Sequence, residues 1–183
     1  MPFTTVKAFE AWLQKNHAKS PGIWVQFFKK DSGVKTVTYA EALDEALCYG
    51  WIDSQVKTFD EKSYLQRFGP RKPKSIWSKR NKEHVVRLIK EHRMSPAGLA
   101  QVTAAKADGR WSLAYDSPKN MTVPDDFLKE VKKDKKAHAF FLTLNKANVY
   151  AISWRLQTAK KPETHKKRMD VIIEMLKKGQ TFH

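Results

Sequence analysis

The passage from Gly50 to Pro70 constrains this chain most, because a helical pattern stops there and two alternating runs take over. In Trp51 to Thr58, Ile52, Ser54 and Val56 alternate with Trp51, Asp53 and Gln55. In Ser63 to Phe68, Tyr64, Gln66 and Phe68 share one side, opposite Leu65 and Arg67. A repeat of two is the repeat of a strand, and the short connection Phe59-Asp60-Glu61 leaves room only for an antiparallel turn. Gly69-Pro70 is expected to end the pairing, since proline has no N–H to give a ladder. Upstream, Ile23-Trp24-Val25-Gln26-Phe27-Phe28 reads as a third strand, buried on both faces. A small antiparallel sheet follows.

The helices around it are marked by caps. Thr4 or Thr5 opens a first helix from about Val6 to His17, with Phe9, Trp12 and Leu13 on one face. Thr38-Tyr39-Ala40-Glu41 has the spacing of a capping box, so a helix runs through Leu43, Ala46 and Leu47 to Tyr49, with Gly50 as its stop. Ser78 caps a helix to about Arg93. At 100° per residue, Val85, Leu88, Ile89 and His92 lie on one arc with Trp77 and Asn81. Lys79, Arg80, Lys82, Arg87, Lys90 and Arg93 lie opposite. Ser95-Pro96 opens another helix, ending near Asp108-Gly109. Arg110 to Pro124 reads as an ordered linker. One or two short helices follow from Asp125 to Leu144. A stripe of Ala147, Tyr150, Ala151, Trp154 and Thr158 marks the next, and Met169, Ile172, Ile173 and Leu176 mark the last. The fold class predicted is α+β: a mixed domain over 1–115 with a small antiparallel sheet and flanking helices, then an all-helical module over 121–183.

Composition enters through charge. The net charge of +16 is unevenly spread. Residues 1–60 carry seven Lys/Arg and seven Asp/Glu, so the excess lies in 61–183, and it is densest from Lys62 to Arg93. A field of one sign attracts polyanions, whether nucleic acid or smaller anions, without specifying a sequence. The competing reading is a solvated lysine surface that confers solubility. No stretch of about 18 apolar residues is present, so no membrane span is predicted. The opening residues Met1 to Lys7 lack an apolar secretory core, and the lone Cys48 forms no internal disulfide. A cytoplasmic location is the expectation.

Arg67, Arg71, Lys72, Lys74, Ser78 and Lys79 bracket a strand end and a predicted helix start, where unpaired N–H groups and the helix dipole favour an anion. Tyr64, Phe68 and Trp77 are interleaved with them as stacking platforms, and Trp51 and Asp53 complete the candidate ligand-binding set. Against this stands a core role for the aromatics, with the arginines pairing Asp53, Asp60 or Glu61. Cys48 with His84 or His92 as base, and Asp53 with Glu41 or Glu45, are the candidate catalytic groups. Each has a simpler structural explanation, and no residue is assigned as catalytic. The six histidines form no metal-ligand spacing, and no Walker loop or GxGxxG is present, so no metal or cofactor is predicted.

Three blocks, Glu41 to Ser54, Tyr64 to Arg71 and Trp77 to Asn81, resemble the YdeI/OmpD-associated family, also labelled bacteriocin-protection. Arg93 to Leu99, Ala105 to Trp111 and Ala159 to His165 are similar too. The resemblance implies a bacterial-type cytoplasmic protein with a mixed first part and a helical module from about residue 121. It implies no activity. Gly69 stands where the family pattern has Thr, and His165 where it has Arg. The function expected is that of a non-catalytic accessory protein, in stress or bacteriocin tolerance, engaging an anionic or protein partner. The alternative is an enzyme for a small phosphate or carboxylate substrate.

Overall fold

The computed structural model describes residues 1–117 and 120–183. It is an α+β protein that divides into two compact units, Met1–Ile76 with Asn81–Ser112, and Trp77–Arg80 with Leu113–His183.

In the first unit, β1 (Ile23–Phe28), β2 (Trp51–Thr58) and β3 (Ser63–Pro70) form an antiparallel sheet in the order β1-β3-β2. The predicted hairpin is therefore present, and β1 returns to pair with its second strand. Pairing does not stop at Gly69-Pro70: Ile52 faces Gly69 and Trp51 faces Pro70. The next bond, Arg71 N–H to the Gly50 carbonyl at 3.1 Å, makes Trp51/Pro70 a non-hydrogen-bonded pair, so the proline nitrogen points away from β2. On its other side the β1 ladder has already ended at Ile23/Phe68, and the missing N–H costs nothing. The edge of β1 is covered by residues 1–3, with the Met1 amine on the Trp24 carbonyl and Gln26 N–H on the Met1 carbonyl.

β2 carries one extra residue between Asp53 and Val56, where β3 has only Phe68 to Gln66. This bulge breaks the alternation predicted through β2. The buried Gln66 amide donates to the Gln55 carbonyl at 3.1 Å and the Ser54 hydroxyl to the Arg67 carbonyl at 3.4 Å, which ties the bulge down.

Helices α1 (Val6–Asn16) and α2 (Tyr39–Cys48) cover one face of the sheet. Phe9 lies 5.8 Å from Phe68, Phe27 6.2 Å from Phe68, and Trp12 5.7 Å from Trp51, ring centre to ring centre. Val25 and Phe27 are buried, whereas Trp24, Gln26 and Phe28 are only half-buried. This corrects the expectation that β1 is buried on both faces: helices cover one, and the other is an open surface. The Thr38/Glu41 capping box is formed in both directions. Gly50 takes φ +73, and α4 (Pro96–Ala107) crosses α2 so closely that a Cβ at Gly98 would clash with the Cys48 carbonyl. Helix α3 spans Lys79–Lys90 and buries Asn81, Val85 and Leu88. It is shorter than predicted, and His92, at φ +56, lies beyond it and is exposed rather than on the apolar face.

In the second unit, α5 (Asp125–Val131), α6 (Lys135–Phe141), α7 (Lys146–Gln157) and α8 (Pro162–Lys177) surround a core of Phe127, Val131, Ala137, Ile152, Leu156, Ile172, Ile173 and Leu176. The last helix buries the face predicted for it. On α7 the buried face is turned from the predicted stripe: Asn148, Ile152, Ser153 and Leu156 are inside with Ala151, while Tyr150 and Trp154 are half-buried. Asn148 accounts for the turn, because its amide oxygen accepts from the N–H groups of Phe182 (3.0 Å) and His183 (3.1 Å) and so satisfies a polar side chain inside. Among the described residues no helix is long and apolar enough to cross a membrane, and no cluster of His, Cys, Asp and Glu could hold a metal ion.

Candidate anion-binding groove

Arg67 projects from the middle strand on the face without helices. The paired residues of that face are Trp24 with Arg67, Gln26 with Leu65, and Lys57 with Leu65. Lys57 Nζ sits 4.4 Å from the centre of the Trp24 ring. Arg67 donates from Nη2 to the Pro21 carbonyl at 3.2 Å and has no carboxylate partner among the described residues. Beside it lies a groove of about 600 Å³, lined by Ser54, Gln55, Arg67, Gly69, Lys72 and Ser75 among others. Two cations, two hydroxyls and an amide thus converge on one concave surface. The Gly69 position leaves its floor low, since a Cβ there would stand in the space next to the Pro21 carbonyl, 3.4 Å away.

The far wall of this groove is a loop that two buried arginines hold from within. Arg71 donates to the Ile76 carbonyl at 2.8 Å, and Arg110 to the Ser75 carbonyl at 2.8 Å while its Nε binds Asp108. Each is only 5% exposed. Arg71, a predicted ligand residue, is therefore a scaffold of the groove, and Arg110 was not predicted at all. Lys74 follows on the same loop at φ +64, a conformation that costs a non-glycine residue on the order of 1 kcal/mol.

The other predicted residues are placed elsewhere. Trp51 is buried, with its indole N–H on the His17 carbonyl at 3.0 Å. Tyr64 stacks on Phe27 at 5.5 Å, and Asp53 accepts from the Tyr39 hydroxyl at 2.8 Å. These three stand on the helix-covered side of the sheet, so they do not meet Arg67. Trp77, Ser78 and Lys79 belong to the second unit. There Trp77 is buried, Ser78 bridges to Tyr115, and Lys79 pairs with Asp116 at 2.8 Å. Of the aromatic residues in the predicted set, Trp51, Phe68 and Trp77 are core residues and Tyr64 is half-buried, because large rings are buried more readily than they are displayed.

The candidate catalytic groups are likewise accounted for. Burial, reinforced by Glu45, pushes the Cys48 thiol up to about 12, so it is a thiol and not a thiolate at neutral pH. Burial also raises the Glu45 carboxyl, against the pull of Arg93 Nη2 at 2.6 Å. His84 binds Asp44 at 2.7 Å, and Arg87 binds both Asp44 and Glu91. Of the predicted basic arc, Arg87 of α3 and Arg93 just beyond it are thereby matched to acids of α2.

No curated protein and no solved structure matches the chain. Two family models do: one described as Domain of unknown function (DUF8412) over residues 1–101, and one described as Bacteriocin-protection, YdeI or OmpD-Associated over residues 120–179. With more than half its length matched by the first and its helical unit by the second, the chain belongs to the DUF8412 family and carries a YdeI/OmpD-associated domain.

Proposed function

We propose that this is a non-catalytic cytoplasmic accessory protein that engages an anionic partner through the open face of its sheet, in a stress- or bacteriocin-tolerance setting. The observation that carries the reading is Arg67, a cation on a rigid strand that is anchored by a carbonyl and not by an acid. A guanidinium held this way keeps its full charge and has a free edge for a bidentate anion. Lys72 and Ser75 supply further donors along the groove. This lining binds charge and offers no carboxylate or imidazole, which favours capture over chemistry. Lys74 is an exposed cation on the same loop, and Ser78 and Lys79 stand outside this site.

The test is a titration of pyrophosphate and of a short single-stranded oligonucleotide at two salt concentrations, with Arg67→Gln and Lys72→Gln alongside the parent. Affinity should fall with salt, and Arg67→Gln should weaken it about tenfold, as expected for a charge-assisted bidentate contact. Binding indifferent to salt or to Arg67 sinks the proposal.

A further inference from the structure

The second unit has a cleft of its own. Trp154 and Arg155 of α7, Thr164, Lys167, Arg168, Val171 and Ile172 of α8, and Phe182 enclose about 730 Å³, within the size range of small-molecule sites. Nothing in the sequence analysis pointed to it, and it is separate from the groove beside Arg67. Its floor is apolar: Trp154, Ile172 and Phe182 line it, and Val171 is 53% exposed there. Phe182 is fixed in place by the Asn148 hydrogen bonds. Over that floor stand three cations. The Arg155 guanidinium lies 3.8 Å from the centre of the Phe182 ring and donates to the Ala151 carbonyl. Arg168 donates to the Arg155 carbonyl at 2.6 Å and to the Thr158 hydroxyl at 3.2 Å. Lys167 is exposed on α8. Among the described residues none of the three has a carboxylate partner, and Glu163 is the one acid in the lining.

We infer that this cleft binds a small amphipathic anion, an acyl or aryl body ending in a carboxylate. The apolar floor accepts the body by removing it from water. The two arginines are already oriented by carbonyls, so little side-chain freedom is lost when a carboxylate arrives at their outer edge. With three cations against Glu163, the lining discriminates by charge. A neutral ligand forgoes the arginines, and a cationic one is repelled by them.

The experiment uses the full chain and three ten-carbon probes: decanoate and decyltrimethylammonium below their micelle-forming concentrations, and decanol below its solubility limit. Binding is read from the indole N–H resonance of Trp154, assigned with Trp154→Phe. Decanoate should shift this signal saturably and bind about tenfold tighter than decanol, the cation binding weakest. Two surface variants that leave the core intact are read with it. Lys167→Gln should weaken decanoate about threefold, the size of one exposed ion pair. Val171→Asp should weaken it at least about tenfold by placing a like charge in the cleft. Equal affinity for decanoate and decanol, a response that bypasses Trp154, or full binding by Val171→Asp overturns the inference.

Discussion

The seam between α2 and α3 in the first unit and the α7–α8 cleft in the second handle their arginines in opposite ways. At the seam, Arg87 and Arg93 meet carboxylates: Asp44, Glu45 and Glu91. In the cleft, Arg155 and Arg168 meet backbone carbonyls. A carbonyl fixes the geometry of a guanidinium and leaves its charge in place; a carboxylate fixes the geometry and cancels the charge. The first arrangement prepares a site, and the second closes a seam. Arg67 on the open sheet face belongs with the cleft arginines by this criterion. Total charge does not distinguish the two cases, which is why the strongly basic stretch from Lys62 to Arg93 overstates how much free cation the first unit shows.

The largest expected effect tests the seam. Asp44 is mostly buried and takes both His84 and Arg87. Asp44→Ala leaves two donors without their acceptor, and should cost the first unit about 2 kcal/mol, a value reduced from that of a buried pair because Arg87 is 44% exposed. A urea titration followed by the Trp51 indole signal reads this unit. Arg168→Gln in the cleft should cost less, about 1 kcal/mol in the second unit followed by Trp154, while removing most of the response to decanoate. A variant order reversed in stability, or an Arg168→Gln protein that still binds, breaks the contrast between closing and preparing.

How far the sequence announced all this depends on whether a feature is local. The hairpin, the Thr38/Glu41 box and the Ser95 cap were legible because each is written within a few neighbouring residues. The Ser54–Gln55 bulge was not, since an inserted residue leaves no mark on the alternation until its partner strand is known. Nor were the depths of Arg71 and Arg110, because the Ile76 and Ser75 carbonyls that hold them inside are backbone groups that leave no mark in a sequence. The buried place of Asn148 was not legible either, since the N–H groups that satisfy it come from residues 34 and 35 positions later. Of the ligand set read from the sequence, Arg67 faces the sheet groove and Lys72 joins it, whereas the α7–α8 cleft gathers residues from two helices and Phe182 that no single window contains.

The smallest effect lies within α2 itself and sharpens the comparison at the level of single carboxylates. Glu41 accepts the Thr38 N–H at 2.8 Å, and this backbone bond holds its carboxyl below the ordinary 4.5. Glu45, four residues on, is held above 4.5 because burial outweighs Arg93. Linkage gives these two opposite signs. The folded state prefers Glu41 ionised, so its contribution is present above pH 4.5 and is lost as pH falls through the lower folded value. It prefers Glu45 protonated, so stability is highest below pH 4.5 and is lost as pH rises through the higher folded value. Urea midpoints for the first unit at about pH 3 and about pH 6 separate them. Relative to the parent, Glu41→Gln should look worse at the higher pH than at the lower. Glu45→Gln should look better at the higher pH than at the lower. If both variants move the same way, the Arg93 pair dominates Glu45 after all, and the α2–α3 seam is held by attraction more than it is strained by burial.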